Sequence, residues 1–369
     1  MIWKTLFVQK NGLQLKVLSE ILVMRNLFVC HTQAQLILAC GLSLGRFKEA
    51  ENHLILFQDF LLEKELIEHL DRVFTKTLYL QGIYLKEWNT YKEKLRNYPI
   101  NDRKMKEMML NSYDRVFTVC DTIYPEQSCM KLAYRLNKNT EFCCLEDGIM
   151  AYYQNVVIRG GLDSNLVLRF IRKLYFKYVK NLGRFYDRDF NEFGGLKYNK
   201  TIYCLYPKAV REPYRSQRNI LGIWKDEFLL GLKAMYAKVD LPVKGGDIIL
   251  VVDKINTYVY PEKVKASLSG FIEESKTAGK KVFCKFHPRE TETWSIFDGC
   301  ATLENTIGIE SLYLSLADQA NNITIVGIKS TGLMSAKILG YNPISLFNSC
   351  GEKNPDLVNF FEVIGIELK

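Results

Sequence analysis

Four short groups of residues in this 369-residue sequence could do chemistry together. Glu146 and Asp147 precede Gly148, so two adjacent carboxylates stand where glycine permits a tight turn. One can act as general base towards a hydroxyl while the other orients it or a substrate. His287 precedes Pro288, which cannot extend a strand ladder and pushes the histidine into extended backbone. Of the histidines His31, His53, His69 and His287, only the last closes an apolar run in this way, in KVFCKFHPRE. Ser330 and Thr331 lie in Gly327-Ile328-Lys329-Ser330-Thr331-Gly332, between an apolar run and a helical pattern. Amides at a helix start, two hydroxyls and the helix dipole suit a phosphate there. The spacing matches neither a Walker loop nor a GxSxG elbow. Glu310 opens a helical pattern, where a carboxylate can accept hydrogen bonds from both hydroxyls of a ribose. Each group has a plain structural reading as well: an acidic turn, a strand-end histidine, an N-cap and a helix-start glutamate. Asp187-Arg188-Asp189 forms a DxD, but it comes after a helical run and reads as surface.

The elements that must position these groups alternate from Met24 onward. Apolar runs at 27–31, 53–57, 77–81, 115–119 and 141–148 read as strands separated by helical patterns. A second series has a helix over 223–236, a strand over 247–253 ending in Asp253, and a helix from Pro261 to about 277. It continues with a strand over 281–287, a helix near 310–319, a strand over 323–327, a helix from Ser330, a strand over 342–347 and a last helix over 355–364. Such alternation predicts an α/β protein with parallel sheets and crossover helices, whose ligands gather at the carboxyl ends of strands. Prolines and charges accumulate over 207–220. The expected organisation is an N-terminal extension over 1–23 (an extra helix, or the product of a start codon placed too early), a Rossmann-like domain over 24–206, a linker over 207–220 and a second Rossmann-like domain over 221–369. The two domains face one another across a cleft.

Residues 163–184 form a basic amphipathic pattern, with Arg169, Arg172, Lys173, Lys177, Lys180 and Arg184 interleaved with Phe170, Leu174 and Phe176. It reads either as a solvated basic face or as a helix lying on anionic lipid. An apolar content of 48% with 25% charged residues excludes disorder. The net charge of +9 favours anionic partners without choosing among nucleic acid, a membrane surface and phosphorylated small molecules. The ten cysteines show no CxxC pair, so reduced thiols in a cytosolic protein are expected and zinc is not. No run of about 18 uncharged apolar residues occurs, and residues 1–24 make a poor signal peptide.

The order of the four groups resembles that in bacterial sialyltransferases of GT-B type. Those families share a D/E-D/E-G motif, an HP motif and a paired Ser/Thr motif, matched here by Glu146-Asp147-Gly148, His287-Pro288 and Ser330-Thr331. The stretch Asn26–Gln35 (NLFVCHTQAQ) is similar to the opening of glycosyltransferase family 52 and polysialyltransferase-like proteins, although Ala34 stands where proline is usual. The resemblance implies an inverting, metal-independent transferase with no cofactor beyond its donor, CMP-sialic acid, and a capsular or lipooligosaccharide glycan as acceptor. It implies Glu146 as base with Asp147 in support, and Asp253 as rival base. His287 would be acid towards the departing phosphate, with Pro288, Glu310, Ser330 and Thr331 holding CMP. His31, Thr32, Gln35 and Gly148 would contact substrate. Cytoplasmic location, peripheral contact with the inner membrane through 163–184, no nucleic-acid partner and a homodimer (family members can be dimers) complete the expectation. The competitors are a GT-B enzyme using another nucleotide sugar and a basic binding module without catalysis.

Overall fold

A computed structural model describes residues 23–60, 62–82, 91–121, 123–153, 166–186, 194–212, 214–287, 290–351 and 353–369. Pro288, the 187–189 DxD, residues 1–22 and residues 163–165 of the basic segment lie outside the described residues.

Runs such as Leu27–Cys30, Leu54–Phe57 and Ile248–Val252 are apolar at consecutive positions and fully buried, as strands covered on both faces must be. The first sheet has seven parallel strands in the order β3-β2-β1-β4-β5-β6-β7. These are β1 (Arg25–Cys30), β2 (Glu51–Gln58), β3 (Lys76–Gln81), β4 (Arg115–Thr118), β5 (Glu141–Leu145), β6 (Asn199–Cys204) and β7 (Asn219–Gly222). The second has six parallel strands in the order β10-β9-β8-β11-β12-β13. They are β8 (Ile248–Val252), β9 (Val282–Phe286), β10 (Ala301–Thr302), β11 (Thr324–Gly327), β12 (Asn342–Ser345) and β13 (Glu367–Leu368). Eleven α-helices accompany them among the described residues. Six of these shape the site: α1 (Gln33–Leu44), α4 (Tyr124–Leu136), α7 (Lys225–Met235), α9 (Ile309–Ser315), α10 (Gly332–Leu339) and α11 (Pro355–Ile364).

The expected linker needs correction. Residues 219–222 are not a connection but the edge strand of the first sheet, with β7 paired to β6 from Thr201↔Asn219 to Cys204↔Gly222. The chain therefore passes between sheets after Gly222, within 223–247. Strand β6 is also absent from the expected series. Its run Thr201–Cys204 is short and leads at once into the polar, proline-bearing stretch that suggests a linker. Strands β10 and β13, two residues each at the edges of the second sheet, are missing from that series too, while the remaining strands and the helix over 355–364 lie where the apolar pattern puts them.

Helix α7 makes the passage, and it lies against α1 at a backbone-to-backbone crossing. A Cβ on Gly231 would run into the carbonyl oxygen of Ile37, and one on Gly41 into that of Glu227. Arg46, just beyond α1, clamps the same junction: Nε and Nη2 meet the Glu227 carboxylate at 3.1 and 2.9 Å, and Nη2 donates to Gly222 O at 2.7 Å. The sequence NLFVC…GL thus supplies β1, the helix after it, and the small-residue face against which the second half is seated.

Candidate active site

Strand β5 ends at Leu145, and the turn Glu146-Asp147-Gly148 enters a short 3-10 helix (Gly148–Ala151). Gly148 has φ +54°, a conformation that side chains resist, and a Cβ there would stand 3.3 Å from Thr331 Cγ2. The acidic turn and the Ser/Thr turn, 183 positions apart from Gly148 to Thr331, are therefore in contact. Glu146, Gly148, Glu310, Thr331 and Ser335 line one narrow cavity of about 60 Å³, closed on another side by Ala34 and Leu38 of α1.

Glu146 is almost wholly buried. Its Oε2 accepts hydrogen bonds from Leu205 N at 2.7 Å and from the Tyr152 hydroxyl. Burial raises its pKa, against the effect of those two donors, to about 7. A carboxyl near neutrality can both take and return a proton at cellular pH. Burial also raises Asp147, although Gln35 Nε2 donates to its Oδ1 at 2.8 Å and opposes the shift. Glu310, at the start of α9, is raised by burial as well, with its own amide and Lys285 opposing. Lys285 is itself buried on β9 and donates to Phe286 O at 3.0 Å.

In the second sheet the strand order reverses between β8 and β11, and the residues just beyond those strands converge. Lys329 N donates to Asp253 Oδ2 at 3.2 Å, and Lys329 Nζ to Thr257 O at 3.1 Å. Ser330 Oγ accepts from Gly332 N at 3.2 Å, and Thr331 is exposed at the N-terminus of α10. His287 closes β9, its amide bonded to Val252 O at 3.0 Å, and its side chain is exposed. Strand β8 lies between β9 and β11, so the strands that lead to His287 and Ser330 are two strand spacings apart, roughly 10 Å.

The N-terminal group behaves differently from the expectation of substrate contact. His31 and Gln35 are buried and turned inward. The His31 ring stacks on Phe57 at 4.5 Å, with Nδ1 3.0 Å from Asp59 Oδ2 and Nε2 3.1 Å from Glu126 Oε1. Burial alone would lower its pKa, but the two carboxylates outweigh this and push it up to about 9. Thr32 and Gln35 form a reciprocal cap on α1, with Gln35 Oε1 also accepting from His31 N at 2.6 Å. These residues hold Asp147 and the start of α1 in place. Asp59, Glu126, Tyr152 and the Leu205 amide escape the sequence reading. Asp59 and Glu126 come after strands of an open sheet and could be sought by that rule; nothing local marks Tyr152.

The alpha-2,8-polysialyltransferase (POLYST) family model matches residues 83–344. The chain belongs to that family and is a glycosyltransferase of the sialyltransferase class. The matched range holds the acidic turn, His287, Glu310 and the Ser/Thr turn, and leaves Asn26–Gln35 outside. No curated relative matches the sequence. Among solved structures, UDP-GlcNAc 2-epimerase from Methanocaldococcus jannaschii is similar at 15% identity over 93% of this chain and 92% of that one, with a TM-score of 0.53. A putative UDP-N-acetylglucosamine 2-epimerase from Listeria monocytogenes gives 12%, 92%, 82% and 0.52. CalG4, the calicheamicin glycosyltransferase, gives 11%, 94%, 85% and 0.50. At such identities the likeness shows the fold alone, two Rossmann-like domains in the GT-B arrangement.

Proposed function

We propose that the chain is an inverting, metal-independent sialyltransferase that moves sialic acid from CMP-sialic acid to a cell-surface glycan, capsular or lipooligosaccharide. Family membership supports the sialyl donor. The observation that carries the reaction type is the convergence of Glu146, with its pKa near 7, on one cavity with Glu310 and the N-terminus of α10.

In this reading Glu146 removes the proton of the acceptor hydroxyl as its oxygen bonds to the anomeric carbon of sialic acid. The bond from that carbon to the phosphate oxygen breaks, and CMP leaves with the electron pair. Amides and hydroxyls at Ser330 and Thr331 bind the phosphate, His287 donates a proton or hydrogen bond to the departing oxygen, and Glu310 holds the ribose. Asp147, tied to Gln35, supports the base. Asp253 is engaged with the Lys329 amide on the donor side, which favours Glu146 as base. Ligand sites commonly occupy roughly 300–1,000 Å³, so the cavity takes the reacting groups while the nucleotide lies along the open edge by Asp253 and Lys329.

The acceptor is met at the cytoplasmic face of a membrane. Val167, Phe170, Ile171, Leu174 and Tyr178 are exposed at helical spacing, and the stripe is flanked by Arg172, Lys173 and Lys177. An apolar stripe edged by cations suits a helix lying in an anionic lipid surface. Among the described residues no helix is long and apolar enough to cross a membrane.

The test is a donor screen with CMP-sialic acid, UDP-sugars and GDP-sugars against galactose-terminated and sialylated acceptors. CMP release with transfer is expected; turnover of a UDP- or GDP-sugar in its place would overturn the donor assignment.

A further inference from the structure

Glu146 has two oxygens in unlike surroundings. Oε2 accepts from Leu205 N and from the Tyr152 hydroxyl, while Oε1 has no hydrogen bond among the described residues. The Tyr152 oxygen also accepts the amide proton of Tyr206, at 3.1 Å. A hydroxyl owns one proton, and with an amide already donating to its oxygen, that proton points at Glu146. Oε2 is thereby held as an acceptor by two donors, and a proton arriving at the carboxyl is confined to Oε1.

Tyr152 is in turn held by the other half of the molecule. Its ring stacks on Phe360 of α11 at 4.5 Å and 13°. Tyr206, whose amide orients the hydroxyl, donates its own hydroxyl to Met334 O of α10 at 2.7 Å. Helix α10 begins at the Ser/Thr turn, and both helices belong to the second half of the chain. We infer that Tyr152 is a positioning residue for the transfer reaction: it fixes Oε1 of Glu146 as the proton-accepting atom, and does so through contacts that exist only when the two halves are seated together. The inference rests on the reading of Glu146 as base and adds the atom, the tyrosine that selects it and the inter-domain contacts that hold the tyrosine.

The sign of the effect on pH dependence comes from the groups around the carboxyl. Asp147 beside it raises its pKa, Tyr152 and the Leu205 amide lower it, Glu310 faces the same cavity, and Cys204 and Tyr206 lie next to it from β6 and the turn beyond. Removing the Tyr152 hydroxyl deletes a donor that favours the carboxylate, so the acid limb of the rate profile moves to higher pH.

The experiment measures kcat and KM against pH for the full chain, its Tyr152→Phe, Phe360→Leu and Glu146→Gln variants, using CMP-sialic acid and the acceptor that turns over. For Tyr152→Phe, kcat at pH 7 is expected to fall roughly ten- to hundredfold, the scale of one hydrogen bond to a charged group. Its KM should stay within about twofold and its acid limb shift upward, since the lost interaction matters to the base and not to substrate binding. Phe360→Leu keeps the hydroxyl but loosens the ring, and should give a smaller loss with the limb moved the same way. An unmoved limb with wild-type kcat in Tyr152→Phe overturns the inference. So does an equal loss at every pH accompanied by a raised KM, the mark of a merely structural residue. If Tyr152→Phe fails to fold, Phe360→Leu decides, and an unmoved limb there is fatal. Near-normal transfer by Glu146→Gln would sink the base assignment itself, whereas an inactive Glu146→Gln beside an unaltered Tyr152→Phe would sink only the role given to Tyr152.

Discussion

The two sheets each have a point where strand order reverses, and they are furnished in opposite ways. In the first sheet the reversal lies between β1 and β4, and the residues there neutralise one another. His31 sits between Asp59 and Glu126, and the Glu126 carboxylate also accepts from Val119 N and Cys120 N. In the second sheet the reversal lies between β8 and β11, whose ends lead to the partly exposed Ser330-Thr331 turn, with an exposed imidazole one strand beyond. The first place is closed to an anion by two buried carboxylates. The second presents the groups an anion needs. A sheet edge that could have bound a ligand has become a brace, and the brace holds Asp147 through Gln35. In the proposed reaction one half of the molecule supplies rigidity and the base, and the other supplies the phosphate site.

That contrast can be broken at its strongest point first. Glu146→Gln should lower kcat by about a thousandfold, within the usual range for loss of a general base, with the melting temperature held or raised. His287→Ala should cost on the order of a hundredfold, also with an intact fold, because the side chain is exposed. Initial rates and thermal melts of the two variants check this, and near-wild-type rates in both would remove the site. In the parent protein the acid limb of kcat should fall near pH 7, where Glu146 loses its proton.

The brace gives the next largest effect, and it should appear in stability. Removing one partner of a buried ion pair costs about 3–5 kcal/mol, so Glu126→Gln should unfold several degrees earlier. His31 titrates at 6.5 when unfolded and at about 9 in place. The stabilisation it contributes is therefore complete below pH 6.5 and lost as pH rises through 9. In Glu126→Gln that loss should begin at lower pH; a melting temperature flat from pH 6 to 10 in the parent protein would contradict the charged histidine.

A smaller effect tests whether the two halves depend on their crossing. Gly231→Ala drives a methyl into the Ile37 carbonyl and should cost about 1–3 kcal/mol, the range for overpacking, with loss of transfer as α7 lifts from α1. Retained stability and activity would mean that the crossing gives way easily. Smallest is Thr331→Val: a single hydrogen bond of about 1 kcal/mol corresponds to roughly fivefold in the KM for CMP-sialic acid, with no change in melting. An equal loss of kcat at saturating donor would instead put Thr331 at the reacting bond.

Much of this is legible in the residues. Uninterrupted apolar runs reveal the parallel strands, because burial on both faces leaves no room for polar alternation. Glu146, Glu310 and Thr331 can be nominated because each stands just after a strand or at a helix start, where open sheets expose their termini. Strand β7 is split by the sequence reading between the linker and the second domain, because four residues at a sheet edge beside a proline- and charge-rich stretch carry too little apolar signal. His31 is expected at the substrate because the resemblance of Asn26–Gln35 to the family's opening implies it. Asp59 and Glu126, 28 and 95 positions away, are what turn it inward.

The order of the reactive groups along the chain, the alternation of strand and helix, and the apolar stripe of 167–178 were determined by the sequence itself, since each depends on neighbours a few residues apart. The tertiary structure alone decided that Gly148 meets Thr331, that the buried histidine is charged, and that Tyr152 points its proton at one oxygen of Glu146. Those facts arise where segments far apart in the chain share a buried volume, Gly148 and Thr331 across the two halves and His31, Asp59 and Glu126 within the first. In such a volume, which group keeps its proton depends on partners that sequence distance does not reveal.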